Sequence, residues 1–138
     1  MKKICLAFLV CLGVASCAMA EGVGTDNGRL RPCPGSPNCV VSEGSDASVV
    51  PFFIKDSQGW ERLRQAVVAQ GGNIEREDDG YLHATFKSRL FGFVDDLECR
   101  RDGTMAQVRS ASKVGWWDLG ANRRRVERLR QAFLAGEK

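Results

Sequence analysis

Four short runs of alternating apolar and polar residues lie between two amphipathic helical segments, and this arrangement limits the folds open to the chain. In the second run Leu82, Ala84 and Phe86 have one parity, and the other parity is that of Tyr81, His83, Thr85 and Lys87. This is the two-residue period of a strand. Strands of an all-parallel sheet would be apolar throughout because both of their faces are covered. The alternation therefore predicts an antiparallel sheet.

The predicted elements follow one another as helix, four strands and helix. Asp56 and Ser57 supply an N-cap for the first helix, and Gly71-Gly72 ends it. This order, α-β-β-β-β-α, predicts a two-layer α+β domain with both helices on one face of a four-stranded sheet. The strands are predicted over about 73–77, 81–88, 93–101 and 105–114, and the last helix over about 119–135.

The first twenty residues resemble an export signal. A cationic start over residues 1–3 precedes an apolar run over 4–14 that is too short to span a bilayer. Ala18-Met19-Ala20 predicts a signal peptide over 1–20, whereas Val14-Ala15-Ser16-Cys17 resembles the lipobox of bacterial lipoproteins.

The lipobox alternative would leave a signal over residues 1–16 and a lipid on Cys17. We favour it because a cysteine placed there by chance is the less expected explanation. Both alternatives predict an exported protein, periplasmic and, in the favoured case, anchored to a membrane.

Export determines how the remaining cysteines are interpreted. Cys33 and Cys39 enclose a turn-rich loop, and an oxidising compartment favours a disulfide between them. Cys99 alternates with Leu97 in the third strand and is expected to be a buried apolar thiol. A zinc site that combines the three cysteines with His83 is disfavoured by their spacing, so we predict no metal.

Residues 21–49 are rich in Gly, Pro, Ser, Asp and Asn and predict an extended tether that carries the Cys33–Cys39 loop. The apolar stretch that follows is expected to dock on the edge of the domain, which we place at 50–138. Without Lys2 and Lys3 the net charge falls from +3 to +1, so no global basic field indicates nucleic acid as a partner.

Polar residues interrupt the apolar stripe of the last helix. Asn122 falls within the stripe and Arg125 lies at its border, while Asp118 stands where the helix N-cap is expected. At about 100° per residue the stripe consists of Leu119, Val126, Leu129 and Phe133.

The strands contribute to the same corner. Ser110 and Ser112 share the parity of Val108, and Asp95 shares that of Leu97, so all three polar residues are expected to face the helices. We therefore predict one polar corner between sheet and helix, formed by Asp95, Ser110, Ser112, Asp118, Asn122 and Arg125. The cations predicted to point to water are Arg109, Lys113, Arg124 and Arg128.

Three interpretations of this corner stay open. It can be a buried polar network, a site for a small polar or anionic molecule, or a hydrolase-like site using Asp95 or Asp96 with Ser110 or Ser112. Asp95 and Asp96 are adjacent in a strand and point to opposite faces, which disfavours a carboxylate pair. We predict no catalytic residue and no cofactor. Of the adjacent pair Trp116-Trp117, one is expected to be half exposed.

Two groups of motifs carry a resemblance to a known family. Pro34-Gly-Ser-Pro-Asn-Cys-Val40 and Phe91-Gly-Phe-Val-Asp-Asp96 form the first, and Arg109-Ser-Ala-Ser with Asp118-Leu-Gly-x-Asn-Arg forms the second. Together they resemble the domain-of-unknown-function 1499 family from about Cys33 to Leu134. The chain departs mildly from the family pattern at Lys113 and at the tryptophan pair.

The resemblance implies no established activity, cofactor or catalytic residue. It implies many bacterial members with a signal peptide or a membrane anchor. The favoured prediction is a non-enzymatic exported domain that binds a small polar molecule or an envelope partner through the polar corner.

Overall fold

The computed structural model describes residues 22–137 and consists of two helices and eight strands. The predictions of a signal peptide and of a lipid on Cys17 lie outside the described residues. In chain order the elements are β1 (Thr25–Asp26), β2 (Arg29–Leu30), β3 (Cys39–Val41), β4 (Phe52–Phe53), α1 (Ser57–Ala69), β5 (Asn73–Asp78), β6 (Tyr81–Lys87), β7 (Val94–Asp102), β8 (Met105–Ser112) and α2 (Ala121–Ala135).

The main sheet is antiparallel and has six strands, so the predicted number of four is wrong. Its order is β3-β8-β7-β6-β5, and β4 pairs with a second stretch of β8. The predicted element order is also wrong, because four short strands precede α1. β3 and β4 have three and two residues, which is too short for an alternating pattern to identify them.

The α+β class is confirmed, since both helices share one hydrophobic core with the sheet. Leu63 and Val67 of α1 and Leu129 of α2 are buried in this core together with Leu97 and Cys99 of β7. Burial raises the pKa of the Cys99 thiol to about 12, so this cysteine is a neutral core residue at physiological pH.

The two helices begin differently. Asp56 caps α1, because its carboxylate accepts hydrogen bonds from the backbone N–H groups of Gln58 and Gly59 at 3.0 Å each. α2 begins at Ala121 with Gly120 as its N-cap, so the predicted start at 119 is two residues early. Asp118 therefore lies in the turn before α2 rather than at the cap.

Residues 22–49, for which we expected an extended tether, contain β1, β2 and β3. β3 joins the main sheet beside β8, whereas β2 packs against β7 and β8 on the face opposite the helices. The backbone N–H of Gly24 donates to Glu98, and Leu30 and Val41 are buried. The predicted Cys33–Cys39 disulfide is present, with 5.6 Å between the two Cα atoms. We call this second face of the sheet the outer face.

The outer face contains a buried ion pair. Arg109 donates to Glu98 at 3.1 Å, and the Tyr81 hydroxyl donates to the same carboxylate at 2.7 Å. Burial and this hydrogen bond raise the pKa of Tyr81. The prediction that Arg109 points to water is wrong, because Glu98 neutralises its charge and the amino-terminal segment covers it.

Within residues 22–137, we find no helix both long and apolar enough to cross a bilayer.

Candidate functional site

Asn122 lies at the centre of a hydrogen-bond network between α2 and β8, and none of its surface is exposed to solvent. Its side-chain Nδ2, which carries two hydrogens, lies within hydrogen-bonding distance of three acceptors: the carbonyl oxygen of Asn38 at 2.9 Å, Ser112 Oγ at 2.9 Å and Asp118 Oδ2 at 2.8 Å. Its Oδ1 accepts from Ser110 Oγ at 2.6 Å. One buried asparagine thus joins three separate segments of the chain.

Arg125 closes the network from the neighbouring turn of α2. Its guanidinium donates to Asp95 Oδ2, to Ser110 Oγ at 3.0 Å and to Asn122. The same group lies over the ring of Phe86, 4.9 Å from its centroid. The buried Asp95 carboxylate therefore has its opposite charge in direct contact.

Asp118 shapes the turn that leads into α2. It accepts hydrogen bonds from the backbone N–H groups of Gly120 and Asn122, each at 2.8 Å. Burial alone would raise the pKa of the Asp118 carboxyl, but these bonds outweigh it and lower that pKa below its ordinary value of 3.8. The group is a carboxylate at neutral pH.

The structure brings all six residues of the predicted corner together in this network. Ser110 is completely buried, and its hydroxyl has contacts with both Asn122 and Arg125. Such mutual satisfaction fixes α2 on the sheet, which is the effect that the network interpretation expects. Sequence reasoning missed Asn38, because its participation depends on a carbonyl group and on the path of the disulfide loop.

A cleft of about 560 Å³ opens directly above this network. Its floor is polar and consists of Asp95, Ser112 and Asp118. Its walls are apolar and come from two loops, with Phe91 and Phe93 on one side and Val114, Trp117 and Leu119 on the other.

The first wall belongs to the tight loop between β6 and β7. Ser88 closes this loop, because its backbone N–H donates to the carbonyl of Phe93 at 2.8 Å and its hydroxyl accepts from the N–H of Phe93 at 3.1 Å. Phe91 and Phe93 stack with 5.7 Å between ring centroids. Gly92 permits the turn with a φ of 67°.

The second wall is the turn between β8 and α2. The side-chain amide of Asn38 donates to the carbonyl of Gly115 and connects this turn to the disulfide loop. One tryptophan of the pair had been expected to be half exposed; Trp116 and Trp117 are 70% and 66% exposed, so both face solvent. The sequence did not indicate the cleft, because apolar residues in loops are read as candidates for the core.

Asp96 lies on the outer face, apart from the corner. His83 Nε2 is 2.7 Å from Asp96 Oδ1, and the Lys113 ammonium is 3.4 Å from the same oxygen. The register pairs Asp95, and not Asp96, with Ser112. Over residues 22–137, histidines, cysteines and carboxylates form no group of three placed to hold a metal ion.

The fold and the cleft define a class: a two-layer α+β domain whose helix–sheet junction carries a polar network under an apolar-walled cleft. The family described as "Protein of unknown function (DUF1499)" matches residues 29–133. The chain belongs to the DUF1499 family. None of the curated proteins compared with the chain matches it.

Proposed function

We propose that the protein is an exported, non-enzymatic binding domain whose cleft takes a small amphipathic molecule. The observation that carries the proposal is the combination of aromatic walls with a polar floor in one cleft of about 560 Å³. Binding sites for small molecules have this composition, with apolar walls and a few polar groups that fix orientation.

The floor favours a ligand that donates hydrogen bonds. The floor carries two carboxylates, Asp95 and Asp118, and one guanidinium, that of Arg125, pairs with the first of them. Ser112 Oγ lies 2.9 Å from Asn122 Nδ2, and its own O–H can donate to the oxygen of a ligand hydroxyl. A hydroxyl or ammonium group therefore suits this floor better than a carboxylate or phosphate, which refines the earlier expectation of a polar or anionic ligand.

The hydrolase-like alternative has less support. Ser110 has no exposed surface and Asp96 lies on the other face of the sheet. This alternative named one of two aspartates with one of two serines, and of these four residues Asp95 and Ser112 reach the cleft. Arg125 engages the first and Asn122 the second, so neither is arranged to activate a nucleophile.

Calorimetry with three decyl compounds tests the proposal. Decylamine and decanol share their tail with decyl sulfate and differ from it in the head group. We expect the amine and the alcohol to bind in the cleft at one molecule per chain, and the sulfate not to show this one-to-one binding. Equal binding of all three, or binding of none, would contradict the proposal.

Matched variants locate the binding. Phe93→Ala and Trp117→Ala remove one wall each and should weaken binding about tenfold. Phe53→Ala removes an equally exposed phenylalanine from β4, far from the cleft, and should leave binding unchanged. A comparable loss in this control would show that the cleft is not the site.

A further inference from the structure

One end of the molecule exposes a continuous apolar surface. Twelve large hydrophobic residues of the described chain are exposed, and seven of them lie in the two loops beside the cleft. A single domain rarely leaves so much apolar surface in one place unless something covers it. We call this surface the apolar tip; it consists of Leu90, Phe91, Phe93, Val114, Trp116, Trp117 and Leu119.

The tip extends beyond the cleft. Leu90 and Trp116 are 81% and 70% exposed, and neither belongs to the lining of the cleft. A ligand held between Phe93 and Trp117 would leave Leu90 and Trp116 exposed to water. The tip therefore needs a second explanation, independent of the ligand.

The tip has a defined shape. The hydrogen bonds of Ser88 close one loop, and Asn38 holds the other through the carbonyl of Gly115. Leu119 has a φ of 55° while its side chain is exposed. A branched apolar residue is unfavourable in this left-handed conformation, so the surrounding turn keeps Leu119 facing outwards at a cost in stability.

Cations surround the tip. Lys87 and Arg89 flank one loop, and Lys113, whose ammonium also lies 3.4 Å from Asp96, begins the other. The guanidinium of Arg124 donates to the carbonyl of Leu119 at 2.7 Å, which places a fourth positive charge against the tip. The one carboxylate within these loops, Asp118, is engaged by the N–H groups of α2.

We propose that the apolar tip inserts into the interfacial region of a bilayer that carries anionic head groups. Tryptophan and phenylalanine favour the boundary between head groups and acyl chains, and lysine and arginine beside them attract anionic lipids. A second copy of the chain is a poorer occupant, because a symmetric contact would bring the cations of both copies together. The tip thus gives the exported domain a second contact with the membrane, besides any lipid on Cys17.

Tryptophan quenching by brominated lipids tests the insertion in the full chain. In a Trp60→Phe variant, fluorescence comes from Trp116 and Trp117 only. Brominated acyl chains should quench it in vesicles of phosphatidylcholine with phosphatidylglycerol, and much less in phosphatidylcholine alone. A Trp116→Phe/Trp117→Phe variant reports Trp60 instead, which lies in α1, and should stay unquenched. The readout is specific to the tip even when the amino-terminal segment also binds lipid.

Paired substitutions separate insertion from ligand binding. In the Trp60→Phe background, Leu90→Ser/Trp116→Ser should lower the affinity of the tip for the mixed vesicles at least about tenfold, measured by the remaining Trp117. The matched Val50→Ser/Phe53→Ser variant, altered at residues that are 64% and 59% exposed, should bind like its parent. Decylamine binding should be unchanged in both variants, because neither alters the cleft.

Charge reversal completes the test. Arg89→Glu should weaken binding to phosphatidylglycerol vesicles, and Arg128→Glu on the exposed side of α2 should not. Unquenched tip tryptophans, equal quenching in neutral vesicles, or a dimer abolished by Leu90→Ser/Trp116→Ser would each overturn the proposal. Failure with vesicles while decylamine still binds would overturn the insertion alone.

Discussion

Asn122 is the residue on which most of the corner depends. The helical stripe predicted that this side chain faces the sheet, and the parity of β8 predicted Ser110 and Ser112 beside it. Residue periodicity could not predict the contact with Asn38, which lies 84 positions earlier in the chain. Local patterns indicate which way a side chain points, whereas its distant partners depend on how the chain folds around it.

Replacing Arg125 with alanine tests the network directly. Arg125→Ala leaves the buried Asp95 carboxylate without its counter-charge and should lower the free energy of unfolding by roughly 3 kcal/mol. Arg128→Ala, on the exposed side of the same helix, should change it by less than about 0.5 kcal/mol. Urea unfolding of both variants provides the measurement, and a nearly unchanged Arg125→Ala would contradict the network.

Asp118 should make the free energy of unfolding depend on pH in the acid range. The pKa of Asp118 in the folded protein is lower than in the unfolded chain. Its contribution to stability is therefore present above the ordinary pKa of 3.8 and is lost as the pH falls through the folded pKa. Asp118→Asn should be less stable at pH 7, and its deficit should shrink below about pH 4. Urea titrations across this range decide the matter; a constant deficit would refute the assignment.

Replacing Leu119 with a residue that tolerates a left-handed backbone conformation should stabilise the protein. Leu119→Asn keeps the left-handed turn with a residue that adopts it readily, and should raise the free energy of unfolding by about 1 kcal/mol. The same change removes part of one cleft wall and should weaken decylamine binding. Thermal melting and calorimetry on one preparation measure both effects, and a less stable variant would argue against strain at this position.

At the level of elements, the sequence predicted the central part of the fold well. β5 to β8 and both helices lie within a few residues of their predicted positions, because each is long enough to show its period. β3 and β4 were missed, since each is completed by pairing with β8 rather than by any pattern of its own. The cleft was missed for a related reason: its walls are loops, which have no period.

The disulfide loop should contribute to stability through β3. Cys33→Ser/Cys39→Ser removes a disulfide between residues that are six positions apart. It should lower the free energy of unfolding by about 2 kcal/mol. A reductant should lower the free energy of unfolding of the parent chain by a similar amount. It should leave that of the variant unchanged, because Cys99, the remaining cysteine within residues 22–137, is a free thiol. A parent chain that ignores the reductant would contradict this role.

At the level of the whole molecule, part of the outer face of the sheet is covered, as is the face that carries the helices. The parity of β8 had predicted that Arg109, on the outer face, points to water. Glu98, Arg109 and Tyr81 are nevertheless buried, since they satisfy one another beneath the amino-terminal segment. A polar strand face can thus lie inside a protein when its own groups pair, and a binary pattern does not reveal this.

A truncated chain tests how far the folded unit extends. A fragment over 50–138 lacks β3 and the segment that covers Glu98 and Arg109, so it should not melt cooperatively. A fragment over 22–138 keeps both and should melt like the folded part of the full chain. Circular dichroism and calorimetry on the two fragments provide the comparison. Cooperative melting of the shorter fragment would support the predicted start of the folded domain at residue 50.

The contacts of Asn38 with Gly115 and Asn122 also bear on how the chain folds. Its bonds to Gly115 and Asn122 join positions 77 and 84 residues apart, so they form only after long stretches of chain have been brought together. The cleft wall that carries Trp117 and Leu119 therefore depends on contacts between distant parts of the chain, the disulfide loop and α2. A chain in which α2 has not met the disulfide loop lacks these bonds, so the order of this turn reports whether the two distant segments have joined.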